Sequence, residues 1–121
     1  MPATDRTIEL ISSELSDGKS TAQAVVTRSL DAAEQLNEKL NAFLQIDREG
    51  ALRRAKELDA GAGSGALRGI PIAVKDNICV RGMQATCGSR ILAGYHPQYD
   101  ATVTEPSPEL WRFRIVAAPA P

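Results

Sequence analysis

Residues 67–80 read Leu-Arg-Gly-Ile-Pro-Ile-Ala-Val-Lys-Asp-Asn-Ile-Cys-Val, and they set one lysine, Lys75, at the end of an apolar run and directly before a polar turn. Ile70, Ile72, Ala73 and Val74 predict a strand over 70–74, Lys75-Asp76-Asn77 a turn, and the apolar residues at 78–80 a second strand. Pro71 is tolerated near the start of the first strand, where a missing donor matters least. Lysine is among the residues least often buried without a partner, so an ammonium after such a run is expected to leave water. Burial disfavours the charged form and would make Lys75 a usable base. Taken alone, a lysine after an apolar strand more often snorkels to solvent, so the surrounding sequence has to decide.

Upstream, the apolar spacing is helical. Ile8, Ile11 and Leu15 give residues 4–15 one apolar face, and Asp17-Gly18 ends it. Ser20 followed by Gln23 has the form of a capping box. Val25, Val26, Ala33, Leu36 and Leu40 then give a longer helix a buried stripe, with Asn37 and Asn41 at its fraying end. Residues 42–46 are a brief strand, and Asp47 caps a third helix that runs to about Ala60 through Ala51, Leu52, Ala55 and Leu58. The glycines of Gly61-Ala-Gly-Ser-Gly65 resemble neither a dinucleotide fingerprint nor a Walker loop, because they lie between a helix and a strand and lack Gly-Lys-Ser/Thr; they predict a linker.

Downstream, Arg81-Gly82-Met83 predicts a turn, residues 86–93 a loop entering one helical turn, 95–100 a loop and 101–103 the start of another element. From Glu105 the character changes. Four of the seven prolines fall in the last 16 positions, which no periodic helix survives. Within this tail Trp111, Phe113 and Ile115 alternate with Arg112 and Arg114, so the alternatives are an edge strand and disorder. Four prolines and a free terminus favour disorder.

A chain of 121 residues predicts one small domain, and a formal net charge of −1 gives no electrostatic footprint for direct nucleic-acid binding or for an anionic membrane. No apolar run approaches the length of a membrane span, and residues 1–6 have no secretory h-region, so a soluble cytoplasmic protein is expected. Cys79 and Cys87 have neither redox-pair nor zinc-site spacing and are read as reduced thiols; no metal site is expected. Cys87 has no cationic cluster nearby in sequence to activate it, and His96, the sole histidine, sits with Asp100 in what reads as exposed loop. Asp76 and Asn77 are expected to close their turn through side-chain to backbone hydrogen bonds.

Leu67-Arg-Gly-Ile-Pro-Ile-Ala-Val-Lys-Asp-Asn-Ile78, then Gly82, then Ala85-Thr-Cys-Gly-Ser-Arg-Ile-Leu92, then Tyr99-Asp-Ala-Thr-Val103 resemble the amidase signature family. Within it they are most similar to the A-type subunits of glutamine-dependent aspartyl/glutamyl-tRNA amidotransferases. Leu40-Asn-Ala-Phe43 and the preceding helices are similar to that family's opening segment, so the resemblance covers residues 1–103; 104–121 are read as an unrelated proline-rich tail. It implies an α/β fold of which this chain supplies the N-terminal helices and the first strands of a mixed sheet, left incomplete. Such strands would lack neighbours, and marginal stability is expected.

The resemblance also implies a Ser, cis-Ser, Lys triad with Lys75 as its lysine, and glutamine as substrate. Released ammonia would serve transamidation of Glu-tRNA(Gln) or Asp-tRNA(Asn) by partner subunits of B and C type. ATP and magnesium would be used by a partner, and no cofactor is expected in this chain. Both triad serines belong to a downstream Gly/Ser-rich stretch that these residues do not reach, so the chain is expected to be inactive alone, and a truncated or frame-shifted reading frame is expected beyond codon 103. Ser89 matches the family's non-catalytic Thr-Cys-Gly-Ser segment and is read as structural. The alternatives are a non-catalytic assembly or binding module and a fragment of a small-amide hydrolase.

Overall fold

The computed structural model describes residues 6–63, 65–105 and 115–117, and within them three helices and three short strands form a mixed arrangement. Helix α1, Ile8–Ser16, starts at Thr7, whose hydroxyl accepts a hydrogen bond from Leu10 N at 3.2 Å, and it buries none of its residues fully. Helix α2 spans Ala22–Leu40 and helix α3 spans Arg48–Asp59. Asp47 caps α3 as its position predicts, with Oδ1 accepting from Gly50 N at 2.9 Å.

The main core lies between α2 and α3: Ala22, Val26 and Leu30 meet Ala51, Ala55 and Leu58, with Ile46 and Leu52 packed alongside. Alanines on the α3 face let the two helices approach closely. The expected stripe on α2 holds at Val25, Val26 and Ala33, but Leu36 and Leu40 are 48% and 65% exposed. The cause is length. A 19-residue helix is about 10 Å longer than a 12-residue one, and Arg48 at the start of α3 already meets Asp31 and Glu34, so the last turns of α2 run past the start of α3.

The start of α2 differs from the predicted capping box. Thr21 is the N-cap, its hydroxyl accepting from Ala24 N at 3.1 Å, and Gln23 reaches away from Ser20 to Asp59. Asp59 ends α3, where a negative charge is unfavourable, yet its two carboxylate oxygens accept from Ala22 N at 2.7 Å and Gln23 N at 3.0 Å. An anion at the positive end of α2 outweighs its poor placement on its own helix.

Strand β1, Phe43–Ile46, is joined to α2 through Asn41, which takes a left-handed φ of 47°. The Asn37 amide grips the strand's first residue from both sides, donating to Phe43 O at 3.0 Å and accepting from Phe43 N at 2.8 Å. Strand β2 is shorter than predicted, Ala73–Lys75. Residues 78–80 are not a strand. Their polar groups are spent elsewhere: Ile78 N donates to Lys75 O at 2.9 Å, and Cys79 O accepts from Ala101 N at 2.8 Å and from Thr104 Oγ1 at 2.7 Å. A second core, Val74, Val80 and Met83 with Ile72 and Ile78, forms under this turn.

Strand β3, Ile115–Ala117, lies between the other two, antiparallel to β1 and parallel to β2. This part of the tail is therefore a central strand, where the sequence favoured disorder and offered at best an edge. Two facing strand edges supply backbone partners on both sides, which composition does not reveal. The rest of that expectation concerns residues 106–114 and 118–121, which lie outside the described residues.

Candidate active-site turn around Lys75

Strand alternation decides where Lys75 points. Val74 is 6% exposed and packs in the second core, so its neighbours Ala73 and Lys75 lie on the opposite face, and both are exposed. The desolvation expected from the apolar run is absent here. Among the described residues, no side chain or backbone group holds the Lys75 amine by a hydrogen bond or ion pair. Its backbone is fixed on both sides, by pairing with Ala117 in the ladder and by the Ile78 N to Lys75 O bond that closes the turn.

The next residue is the buried one. Asp76, 3% exposed, accepts hydrogen bonds from Thr86 N at 2.8 Å, from Gly88 N at 3.3 Å and from Thr86 Oγ1. Its own carbonyl accepts from Cys87 N at 3.3 Å. Asp76 thus does bond backbone groups, as predicted, but those of a segment ten residues on rather than of its own turn. Residues 86–88 curl around its carboxylate. Cys87 takes a φ of 51° and Gly88 a φ of 70°, and this bend brings the N–H groups of Thr86 and Gly88 to the carboxylate and that of Cys87 to the Asp76 carbonyl. A buried carboxylate with several donors is a satisfied anion, and it ties the Thr-Cys-Gly-Ser segment directly beside the lysine turn.

The remaining chemistry-bearing residues take structural or exposed positions. Ser89 caps the 3-10 turn at Arg90–Leu92, its hydroxyl accepting from Ile91 N at 3.3 Å. Cys87 is exposed, and so is His96, whose Nδ1 lies 2.9 Å from Gly94 O. Asp100 Oδ1 accepts from Arg81 N at 2.9 Å, and Thr104, buried, holds Cys79 O, so residues 99–104 fasten onto the strip that follows the lysine turn. Tyr99 joins this strip through a 3.6 Å contact between its hydroxyl and Cys79 Sγ. The Cys79 hydrogen bond, then the charges of the Cys79 and Tyr95 side chains, hold the Tyr99 phenol above the ordinary tyrosine range. A groove lined by Leu10, Ile11, Val25 and Leu36 runs between α1 and α2, away from this site.

No three His, Cys, Asp or Glu side chains among the described residues converge as a metal site, and no described helix is long and apolar enough to cross a membrane. Sequence reasoning missed Asp76 as the organiser of the site. The signal was available in Asp76 standing ten residues before a Thr-Cys-Gly-Ser run, where small residues and a glycine can wrap a carboxylate.

The family model described as Amidase matches residues 24–106. The A-type subunit of glutamyl-tRNA(Gln) amidotransferase from Acaryochloris marina is 41% identical over 102 residues, 81% of this chain and 21% of that relative. A solved structure of the A-type glutamyl-tRNA(Gln) amidotransferase subunit from Thermotoga maritima superposes with a TM-score of 0.67 at 29% identity, over 93% of this chain and 23% of that one. An amidase family protein from Bacillus anthracis shares the fold, with a TM-score of 0.82 at 21% identity over 94% of this chain and 24% of that one. The chain therefore spans about a fifth of the length of the curated relatives it matches. With the Lys75–Asp76 turn, the 86–89 segment and the mixed sheet all lying within the described residues, the chain belongs to the amidase family.

Proposed function

We propose that these residues form the lysine-bearing N-terminal part of an amidase-type glutamine amidohydrolase, with Lys75 as the general base. In the reaction the family resemblance implies, a serine hydroxyl attacks the glutamine carboxamide carbon while its proton passes through a bridging cis-serine to the Lys75 amine. That proton then leaves with the departing ammonia. Water hydrolyses the acyl-enzyme to glutamate. The ammonia serves transamidation of Glu-tRNA(Gln) or Asp-tRNA(Asn) on B- and C-type subunits, with ATP and magnesium used there.

One observation carries this reading: Asp76 is buried and bonded to Thr86 and Gly88, so the exposed Lys75 amine stands on a braced turn open to incoming groups. Desolvation would come from elements that cover the face of β2 carrying Ala73 and Lys75. The 121 residues by themselves are accordingly expected to show no glutamine hydrolysis. A glutaminase assay on the purified chain, with and without B- and C-type subunits, tests this, and turnover by the chain alone would overturn it. A pull-down with the same subunits tests the partners.

A further inference from the structure

β1 and β2 make no ladder with each other; among the described residues each pairs only with β3. The geometry points to a strand-accepting slot between β1 and β2, filled in cis by residues 115–117 of the same chain and open in trans to residues 115–117 of a second copy. The two walls of the slot are held independently of the strand that fills it. β1 is gripped at Phe43 by the Asn37 amide and packs Ile46 on the α2–α3 core, whereas β2 is anchored by Val74 in the second core.

A slot of this kind reads backbone rather than side chains. It is also directional, because the incoming strand has to run antiparallel to β1 and parallel to β2 at once. The filling strand is only three residues long, and its register against β1 is already irregular between Phe43 and Gln45. Short ladders open readily. Nine residues separate Glu105 from Ile115, a maximum reach of about 30 Å, which allows the strand to enter the slot of a neighbour.

Two differently tagged copies of the full chain, mixed and then separated by tandem affinity and size exclusion, test the exchange. Mixed dimers are expected to form and to increase with concentration. Val116 stands opposite both Gln45 and Val74, so Val116→Pro removes a ladder donor in the middle of the strand. Placed on both copies it is expected to cut mixed dimer by roughly tenfold or more; placed on one copy it is expected to leave one-way pairing. Absence of mixed dimer in the wild type, or dimer unaffected by the double substitution, overturns the proposal. Amide hydrogen exchange on the wild-type chain gives a readout that does not depend on a variant folding. Amides of β1, β2 and β3 are expected to exchange together and faster than those of Val26, Leu30 and Ala55. Exchange of β3 amides only with that helical core would show that the strand never leaves. Neither result depends on Lys75 being a base.

Discussion

Replacing Asp76 removes the acceptor around which residues 86–88 fold, and the cost can be worked from its bonds. Gly88 N retains a second acceptor, Thr86 Oγ1 at 3.2 Å, so it is not orphaned. Thr86 N and the Thr86 hydroxyl lose their acceptor, and hydrogen bonds to a charged group contribute about 1.5–3 kcal/mol each. Allowing for water entry at half-buried Thr86, Asp76→Ala is expected to cost about 3 kcal/mol. That is a large share of the roughly 5–15 kcal/mol available to a domain of this size. Asp76→Asn keeps the shape and one acceptor oxygen but turns an amide donor toward a Thr86 donor, so about half that loss is expected. Urea unfolding followed by circular dichroism reads both, and a double-mutant cycle with Thr86→Val is expected to show coupling of about 1 kcal/mol. Asp76→Ala costing under about 1 kcal/mol, or additive losses in the cycle, would refute the account of this turn.

Three further outcomes follow from other contacts. Gly69 sits at a φ of 79°, and a Cβ there would lie 2.9 Å from Leu15 Cδ1 and 3.4 Å from Ala22 Cβ; Gly69→Ala is expected to cost about 2 kcal/mol in thermal unfolding. Asp59→Ala is expected to cost about 1 kcal/mol, a capping loss at α2 partly offset by relief of a negative charge at the end of α3, with no change in the urea m-value. Cys79→Ala removes the largest cause of the raised Tyr99 pKa, so the phenol is expected to titrate at lower pH in an ultraviolet titration; an unchanged midpoint would show that the Cys79 contact does not govern it. The sign follows from linkage: a phenol whose pKa is raised on folding adds stability below its unfolded value, and that contribution is lost as pH rises through the folded one.

Local chemistry made the helices legible. Asp47 and Asn41 stand where the sequence marks helix ends, and the alanine face of α3 follows from its spacing, whereas Thr7, which the apolar spacing did not single out, starts α1 at Ile8 rather than at residue 4. The stripe on α2 was legible only as far as α3 accompanies it, because periodicity records which face is apolar and not how long the partner is. The N-terminus of α2 was hidden for a related reason: its acceptor, Asp59, arrives from 37 residues away. Residues 78–80 have strand composition but lose their backbone groups to the 99–104 loop, a tertiary effect that overrides local preference. β3 was the least legible, since what makes 115–117 a strand is the pair of edges on either side of it.

At the candidate site, the alternation that buries Val74 also exposes Lys75, and the apolar run before it concealed this. The motif nevertheless pointed to this turn as the candidate. Family resemblance covers residues 1–103 with its most detailed stretch at 67–103, and the structure shows what the spacing within that stretch achieves in this chain: Asp76 and residues 86–88 fold onto each other next to the lysine.

The central claim is that Lys75 acts as a general base once the rest of an amidase surrounds it. A chimera that carries residues 1–103 of this chain in place of the corresponding segment of the Acaryochloris marina relative measures this most directly, by glutamine hydrolysis under single-turnover conditions. The account predicts an active chimera in which Lys75→Ala lowers kcat by at least about 100-fold, in the range expected for loss of an acid–base group, while Ser89→Ala leaves kcat unchanged. An active chimera indifferent to Lys75→Ala would contradict it.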